Sequence, residues 1–203
     1  AGAGAMLSSI ASRAAAAELT GMEFASGIPG SLGGAVVMNA GAYGGEMKDI
    51  LQKVTVLTPD GTVQTLSVEE LELSYRHSII PEKGYLVISA VLKLQPGNAD
   101  EIQSIMDDLK EKRVSKQPLE YPSAGSTFKR PEGYFAGKLI QDAGLRGFRV
   151  GGAQVSEKHC GFIINRDQAT STDICQLMQQ VSEIVYEKFG VRLEPEVKKI
   201  GEF

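Results

Sequence analysis

The stretch GIPGSLGGAVVMNAGAYGG, Gly27–Gly45, holds seven glycines in nineteen positions, one proline and no charged side chain. Glycine loses more conformational freedom on folding than any other residue, so this density needs a reason. Either the chain turns where no other residue can, or its backbone is closely approached by something. The stretch fits neither common phosphate loop. It lacks the Gly-Lys-Ser/Thr ending of a P-loop, and Gly27, Gly30, Gly33 and Gly34 do not follow the GxGxxG spacing. Two readings stay open at this point. Successive backbone N–H groups can form an anion-binding nest, with small residues letting a flat ring lie against the main chain. Alternatively the glycines make tight turns between short strands.

The remaining 184 positions are ordinary for a soluble globular chain of 203 residues, with 42% apolar and 23% charged residues overall. A net charge of −4 gives no nucleic-acid footprint. No apolar run has the length of a bilayer span. The opening AGAGAMLSSIASRAAAAELTG has no basic n-region and no continuous apolar h-region, so it does not read as a signal peptide. Its apolar positions Met6, Leu7, Ile10, Ala14 and Ala17 follow helical spacing instead, predicting a first helix that ends at Gly21. Cys160 and Cys175 are too few and too far apart for a disulfide framework, and a reduced cytoplasmic protein is expected. His77 and His159 lack ligand spacing, so no metal is expected.

Hydrophobic patterning predicts an α+β chain in two modules. In QKVTVLTPDGTVQTLS, Val54 and Val56 alternate, Asp60-Gly61 turns, and Val63 and Leu66 return as a hairpin. GYLVISAVLKLQPG predicts a buried strand closing this region at Pro96-Gly97. Asn98 and Glu101 then form a capping-box pattern for a helix carrying Ile102, Ile105, Met106 and Leu109. A short helix around Phe135, Leu139 and Ile140 stops at Gly144, and strands are expected near Phe148–Val155 and Gly161–Asn165. Thr172–Phe189 is the strongest helix, with Ile174, Leu177, Met178, Val181, Val185 and Phe189 on one face and Gly190 after its end. VRLEPEVKKI reads as a final strand. The composition shift at Gly97-Asn98 places the domain boundary there, dividing the chain into 1–97 and 98–203.

Three further segments carry candidate chemistry. SYRHS, Ser74–Ser78, offers Arg76, whose planar fork of donors suits a carboxylate or phosphate. SKQPLEYPSAGSTFKRP, Ser115–Pro131, is a turned, proline-bearing loop around Ser126, which has no GxSxG elbow and no adjacent histidine. LEPEV, Leu193–Val197, alternates Glu194 and Glu196 about a proline, a mark of an edge or a bulge.

These segments, together with FAGKLIQDAGLRG, VSEKHCGFIIN and LEPEVKKIG, occur in the order and spacing of one family. The chain resembles the UDP-N-acetylenolpyruvoylglucosamine reductase (MurB) family, in its shorter type, over nearly its whole length. The resemblance implies that FAD approaches the glycines. Pro29, Gly30, Ser31, Gly33, Gly34, Gly41 and Ala42 match cofactor-proximal positions, as do Val87 and Arg113. A cation such as Arg113 beside a flavin stabilises its anionic reduced form. Residues 1–97 would then be a partial FAD-binding domain, its second subdomain, and 98–203 a C-terminal substrate-binding domain.

The implied activity is that of a peptidoglycan-precursor enzyme with FAD as cofactor and NADPH as hydride donor. UDP-N-acetylglucosamine enolpyruvate would become UDP-N-acetylmuramate by hydride from flavin N5. Ser126 matches the general acid that protonates the α-carbon. Arg76 and Glu196 match the pair that stabilises the enolpyruvyl carboxylate as negative charge builds on it. Lys116 matches a substrate-contacting lysine, and Tyr75 and Asn165 are lesser candidates for the pocket. The family also has an N-terminal subdomain, whose Gly-Ser-Asn loop grips the FAD pyrophosphate, before the position matched by Gly2–Leu7. A weakened hold on FAD and impaired activity are therefore expected of this chain. Two alternatives accompany this reading: a flavin-free UDP-sugar-binding fragment without turnover, and another FAD enzyme sharing the cofactor domain. No nucleic-acid, membrane or obligate protein partner is expected.

Overall fold

The computed structural model describes residues 1–201. The chain divides into two compact units, Ala1–Arg113 and Val114–Phe203. This division comes at Arg113–Val114 rather than at the composition shift of Gly97-Asn98. The reason lies in the intervening helix: Ile102 is buried, and Met106 packs on the core of the first unit.

The first unit opens with α1 (Leu7–Ala16), whose Leu7, Ala11 and Ala14 form a buried stripe at helical spacing. It stops short of the expected Gly21. The chain instead passes through Glu18 at φ 57° into the short strand β1 (Leu19–Thr20). Then come a 3-10 turn at Glu23–Ala25, the short helix α2 (Leu32–Val37), and the two-residue strands β2 (Gly41–Ala42) and β3 (Gly45–Glu46). The main sheet is antiparallel: β5 (Val63–Ser67) and β6 (Leu86–Leu92) flank β4 (Leu51–Leu57). The predicted hairpin is β4–β5, with Thr55 opposite Thr65 and Gly61 at φ 84° in the turn. Val54, Val56, Leu66 and Ala90 face a core shared with Leu32, Val36, Met47 and Leu71.

β6 is not the buried strand that its apolar run suggests. Leu86, Ile88 and Val91 are exposed, because an antiparallel sheet packs only one face on its core. Its edge away from β4 is taken by the first residues of the chain. Ala3 N–H donates to the Ile88 carbonyl and Ala90 N–H to that of Ala1. β7 (Gln95–Pro96) pairs with β1 and ends the sheet region. α3 (Ala99–Lys116) follows, its start capped by Asn98 Oδ1, which accepts from the N–H groups of Asp100 and Glu101. Its expected apolar face is incomplete: Ile102 is buried, but Ile105 is exposed.

The second unit is a four-stranded antiparallel sheet with order β8-β11-β10-β9, built from β8 (Ser123–Ser126), β9 (Arg149–Val150), β10 (Ala153–Val155) and β11 (Phe162–Asn165). It packs with α4 (Ala136–Asp142) and α5 (Ser171–Phe189). α4 ends as expected, with Gly144 at φ 81°. α5 carries a capping box, Thr170 with Asp173, and buries Leu177, Met178, Val181 and Val185 before Gly190 at φ 69° closes it. Asp173 also reaches the β9–β10 turn, where its Oδ2 accepts from Gly152 N–H at 3.5 Å. The expected last strand is absent as a regular element among the described residues. Leu193 is buried in this core, and a single bridge joins Pro195 to Phe128.

The turn between β10 and β11 is fastened by side chains. Ser156 Oγ accepts from the N–H groups of Lys158 and His159, and His159 Nδ1 accepts from Gly161 N–H at 3.0 Å. The imidazole stands edge-on to Phe162, centroids 5.1 Å apart. Desolvation by burial pulls the His159 pKa below its ordinary value of 6.5, with the nearby Lys116 charge acting in the same direction.

Two measurements check this packing. A Cβ added at Gly152 would lie 2.1 Å from the Asp167 carbonyl oxygen, a main-chain atom that cannot swing away. Gly152→Ala should therefore cost about 1–3 kcal/mol or more, read as a lower denaturant midpoint at unchanged slope. His159 has a folded pKa below its unfolded one, so the unfolded chain binds the extra proton first. Its contribution to stability is complete above pH 6.5 and falls as the pH drops from there towards the depressed folded value. Urea midpoints measured from pH 8 to 5 should show this loss, and His159→Gln should flatten it.

Candidate active site

The glycine stretch makes tight turns and also draws neighbouring segments against its backbone. Tyr43 at φ 53° and Gly44 at φ 92° form the two-residue turn between β2 and β3, a hairpin in which both central residues are left-handed. Elsewhere the missing side chains permit close packing. A Cβ at Gly45 would meet the Phe24 ring at 2.7 Å, and one at Gly41 would meet the Gly45 carbonyl oxygen at 2.7 Å. Gly30 differs: its φ is not left-handed, and an added Cβ would meet nothing within 4 Å. Neither turn geometry nor packing within the protein calls for glycine there, which fits a surface kept clear for a flat ligand.

The open nest of donors that the sequence permits is partly closed. Leu32 N–H donates to the Ala5 carbonyl and Gly33 N–H to that of Ala3, while Gly34 N–H points to Ser31 Oγ at 3.5 Å. Gly33 and Gly34 thus have their donors committed within the protein. Around them Pro29 and Gly34 are exposed, and Ser31, Gly41 and Ala42 are half-buried.

Two arginines converge on this stretch. Arg113, near the end of α3, lies against Gly27, where a Cβ would sit 2.7 Å from its Nε, and its guanidinium is 5.9 Å from the Tyr43 ring centroid. Arg76 occupies the turn Ser74–His77, whose end residues exchange N–H···O bonds of 3.2 Å. Arg76 takes φ 55°, an unfavourable conformation for a residue with a Cβ. From there its Nη2 donates to the Gly41 carbonyl at 3.2 Å, and its guanidinium lies 5.0 Å from the ring centroid of the exposed Tyr75. Val87 is half-buried and packs on the core of this unit.

Sequence reasoning missed Asn39, which is wholly buried at the end of α2 with φ 40°. Its Nδ2 donates to Glu46 Oε2 at 2.6 Å and to the Ser74 carbonyl at 3.0 Å, and its Oδ1 accepts from Lys48 N–H at 2.9 Å. The available signal is an asparagine directly after an apolar helical run, a residue that tolerates the left-handed region.

In the second unit, the chain after Ser126 and the segment around Glu196 run side by side. β8 pairs with β11 through Ser126 opposite Phe162 and Ser123 opposite Ile164, so three steps on β8 match two on β11. Gly125, at φ 85°, absorbs the extra residue as a bulge and leaves Ser126 exposed at the strand end. Thr127, the next residue, is buried, its Oγ1 accepting from Ile163 N–H and its carbonyl from Glu196 N–H at 2.8 Å. On the far side of the Phe128–Pro195 bridge, Lys129 N–H donates to the Glu194 carbonyl and the two side chains form an ion pair. Glu196 is half-buried. Lys116, the last residue of α3, is exposed. Asn165 spends part of its amide on structure, Oδ1 accepting from Ala169 N–H at 2.9 Å.

Each unit thus presents one kind of chemistry. The first offers two guanidinium groups beside a glycine-lined surface, suited to an anionic, planar ligand. The second offers an exposed hydroxyl at Ser126 and a carboxylate at Glu196, whose backbone is bonded to the residue after that serine.

Comparison with known proteins agrees with this division. A family model described as FAD binding domain matches residues 1–67, and one described as UDP-N-acetylenolpyruvoylglucosamine reductase, C-terminal domain, matches residues 117–200. The UDP-N-acetylenolpyruvoylglucosamine reductase of Agathobacter rectalis is 67% identical over 203 residues, which are 100% of this chain and 65% of that protein. The Enterococcus faecalis protein of the same name is 58% identical over 200 residues, 98% of this chain and 67% of its own. The crystal structure of the Thermus caldophilus reductase (MurB) is 40% identical and superposes with a TM-score of 0.84, covering 96% of this chain and 70% of that one. The chain spans about two thirds of the length of the curated relatives it matches. With α+β architecture, both family models in order and such similarity from end to end, this chain belongs to the UDP-N-acetylenolpyruvoylglucosamine reductase family.

Proposed function

We propose that this protein acts in the NADPH-dependent reduction of UDP-N-acetylglucosamine enolpyruvate to UDP-N-acetylmuramate, with FAD bound along the glycine stretch. The observation that supports the reading is the hydrogen bond from Glu196 N–H to the Thr127 carbonyl, which brings the backbone of Glu196 to the residue after Ser126.

Bound FAD would supply the hydride for the enolpyruvyl double bond. Pro29–Ser31, Gly41, Ala42 and Val87 would lie along it, with the clear surface at Gly30 admitting the ring system. Arg113 would supply positive charge beside it. Gly33 and Gly34 would contribute by being small, since their N–H groups are already used. Arg76 and Glu196 would hold the substrate carboxylate and oppose the charge that builds on it during reduction. Ser126 would donate its proton to the α-carbon, a strong base once that charge has developed. Lys116 would contact an anionic group of the sugar nucleotide, and Tyr75 and Asn165 would line the pocket.

The engaged donors at Gly33 and Gly34 favour one competing reading, a sugar-nucleotide binder that holds no flavin. Titration with FAD, followed by quenching of flavin fluorescence, separates the two, since the competing reading requires no quenching. In the flavin-loaded protein, Ser126→Ala should leave reduction by NADPH unchanged. It should slow reoxidation by the enolpyruvyl substrate by about 10²-fold or more, because proton delivery belongs only to that half-reaction. Equal slowing of both halves would remove Ser126 from the role. Arg76→Ala and Glu196→Gln should each depress kcat more than they raise KM, their partner being charge that grows in the transition state.

A further inference from the structure

We propose that Asn39 is a positioning residue for Arg76, its buried amide holding the Ser74–His77 turn in the one conformation from which the guanidinium reaches the glycine stretch. The proposal rests on the role given to Arg76 above.

Asn39 has no surface exposure, so each polar atom of its amide needs a partner within the protein. Those partners lie on two separate segments. Glu46 Oε2 and Lys48 N–H belong to the chain leaving β3, and the Ser74 carbonyl begins the arginine turn. The same turn is tied at its other end, where Ser78 Oγ donates to the Val37 carbonyl at 2.7 Å. The two ends of the turn are therefore fastened to Val37, the last residue of α2, and to Asn39, two positions beyond it. Between the fasteners, Arg76 sits at φ 55°, a conformation that its own Cβ disfavours and that relaxes unless the surroundings hold it. The guanidinium then meets the Gly41 carbonyl, 35 positions away in sequence and two residues beyond Asn39 itself. Glu46, the other acceptor for Nδ2, is the residue opposite Gly41 in the β2–β3 pair. One amide thus fixes both the surface and the arginine that points to it. A residue that merely filled buried polar space would not need partners on the two segments that present the site.

The test uses Asn39→Gly, which removes the amide and suits φ 40° without strain. By amide hydrogen exchange, Ser74 and His77 should exchange about tenfold faster in the variant, as expected for one lost hydrogen bond, while Val54 and Leu66 in the β4–β5 hairpin stay unchanged. Ser78→Ala removes the second tie without touching the buried amide and should act on the same two amides if Asn39→Gly fails to fold. In the flavin-loaded protein, Asn39→Gly should slow reoxidation by the enolpyruvyl substrate at saturation by about 10- to 100-fold and leave reduction by NADPH unaltered. Added to Arg76→Ala, it should slow reoxidation no further. Unchanged exchange at Ser74 and His77 would overturn the proposal, as would slowing that adds in full to that of Arg76→Ala. If Arg76→Ala alone left reoxidation unchanged, the reading of Arg76 would fall, and exchange alone would decide whether Asn39 holds the turn.

Discussion

A segment with seven glycines in nineteen positions anchors few side chains, Leu32 and Val36 chief among them, so main-chain hydrogen bonds carry much of its placement. The stretch Gly27–Gly45 meets this constraint by borrowing partners from the rest of its unit. Ala3 and Ala5 supply carbonyls to the N–H groups of Gly33 and Leu32, and Gly30 in turn accepts from Leu7 N–H. The carbonyl of Gly41 takes a donor from Arg76, and the β2–β3 hairpin is backed by the Phe24 ring against Gly45. The first strand of residues, the edge of β6 and the start of α2 are locked together by this accounting, and the arginines follow from it.

The second unit solves a different problem with the same antiparallel chemistry. Ser126 and Glu196 are 70 positions apart in sequence. A bulge at Gly125 turns the end of β8 outward, and the Thr127 carbonyl then captures the chain at Glu196. Neighbouring groups do the anchoring and leave the hydroxyl exposed: Thr127 and Phe128 are buried on one side, Leu193 on the other. The division of labour is between buried residues that fix the backbone and adjacent ones to which the proposed function gives the chemistry.

Periodic elements with their own stop signals were legible in the sequence. α5 reads from its apolar stripe and from Gly190, the β4–β5 hairpin from alternation around Asp60-Gly61, and α4 from Gly144. The features that escaped depend on what lies opposite. LVISAVL is apolar but for Ser89, yet only one face of β6 has a core to meet. Likewise Ile105 of α3 falls on the predicted apolar face without being covered. LEPEV alternates like a strand, but its proline cannot donate to a ladder and the segment makes only a bridge. The candidate site was legible mainly through the family resemblance, which marked Arg76, Ser126 and Glu196. No local pattern announces that Asn39 reaches Ser74, because that pairing exists only once two loops have met.

Six non-glycine residues take left-handed backbone angles among those described, and three of them, Asn39, Tyr43 and Arg76, belong to the two loops around Gly41. Each such residue costs about 1–2 kcal/mol relative to a relaxed conformation. Glycine at Tyr43 or Arg76 would relieve the backbone while stripping away a ring or a guanidinium, whereas at Asn39 it would also leave the buried partners of the amide unpaired. Selection for stability alone would therefore erode the side chains at Tyr43 and Arg76 first. That side chains persist in such positions sets a trade between robustness and the groups these loops present.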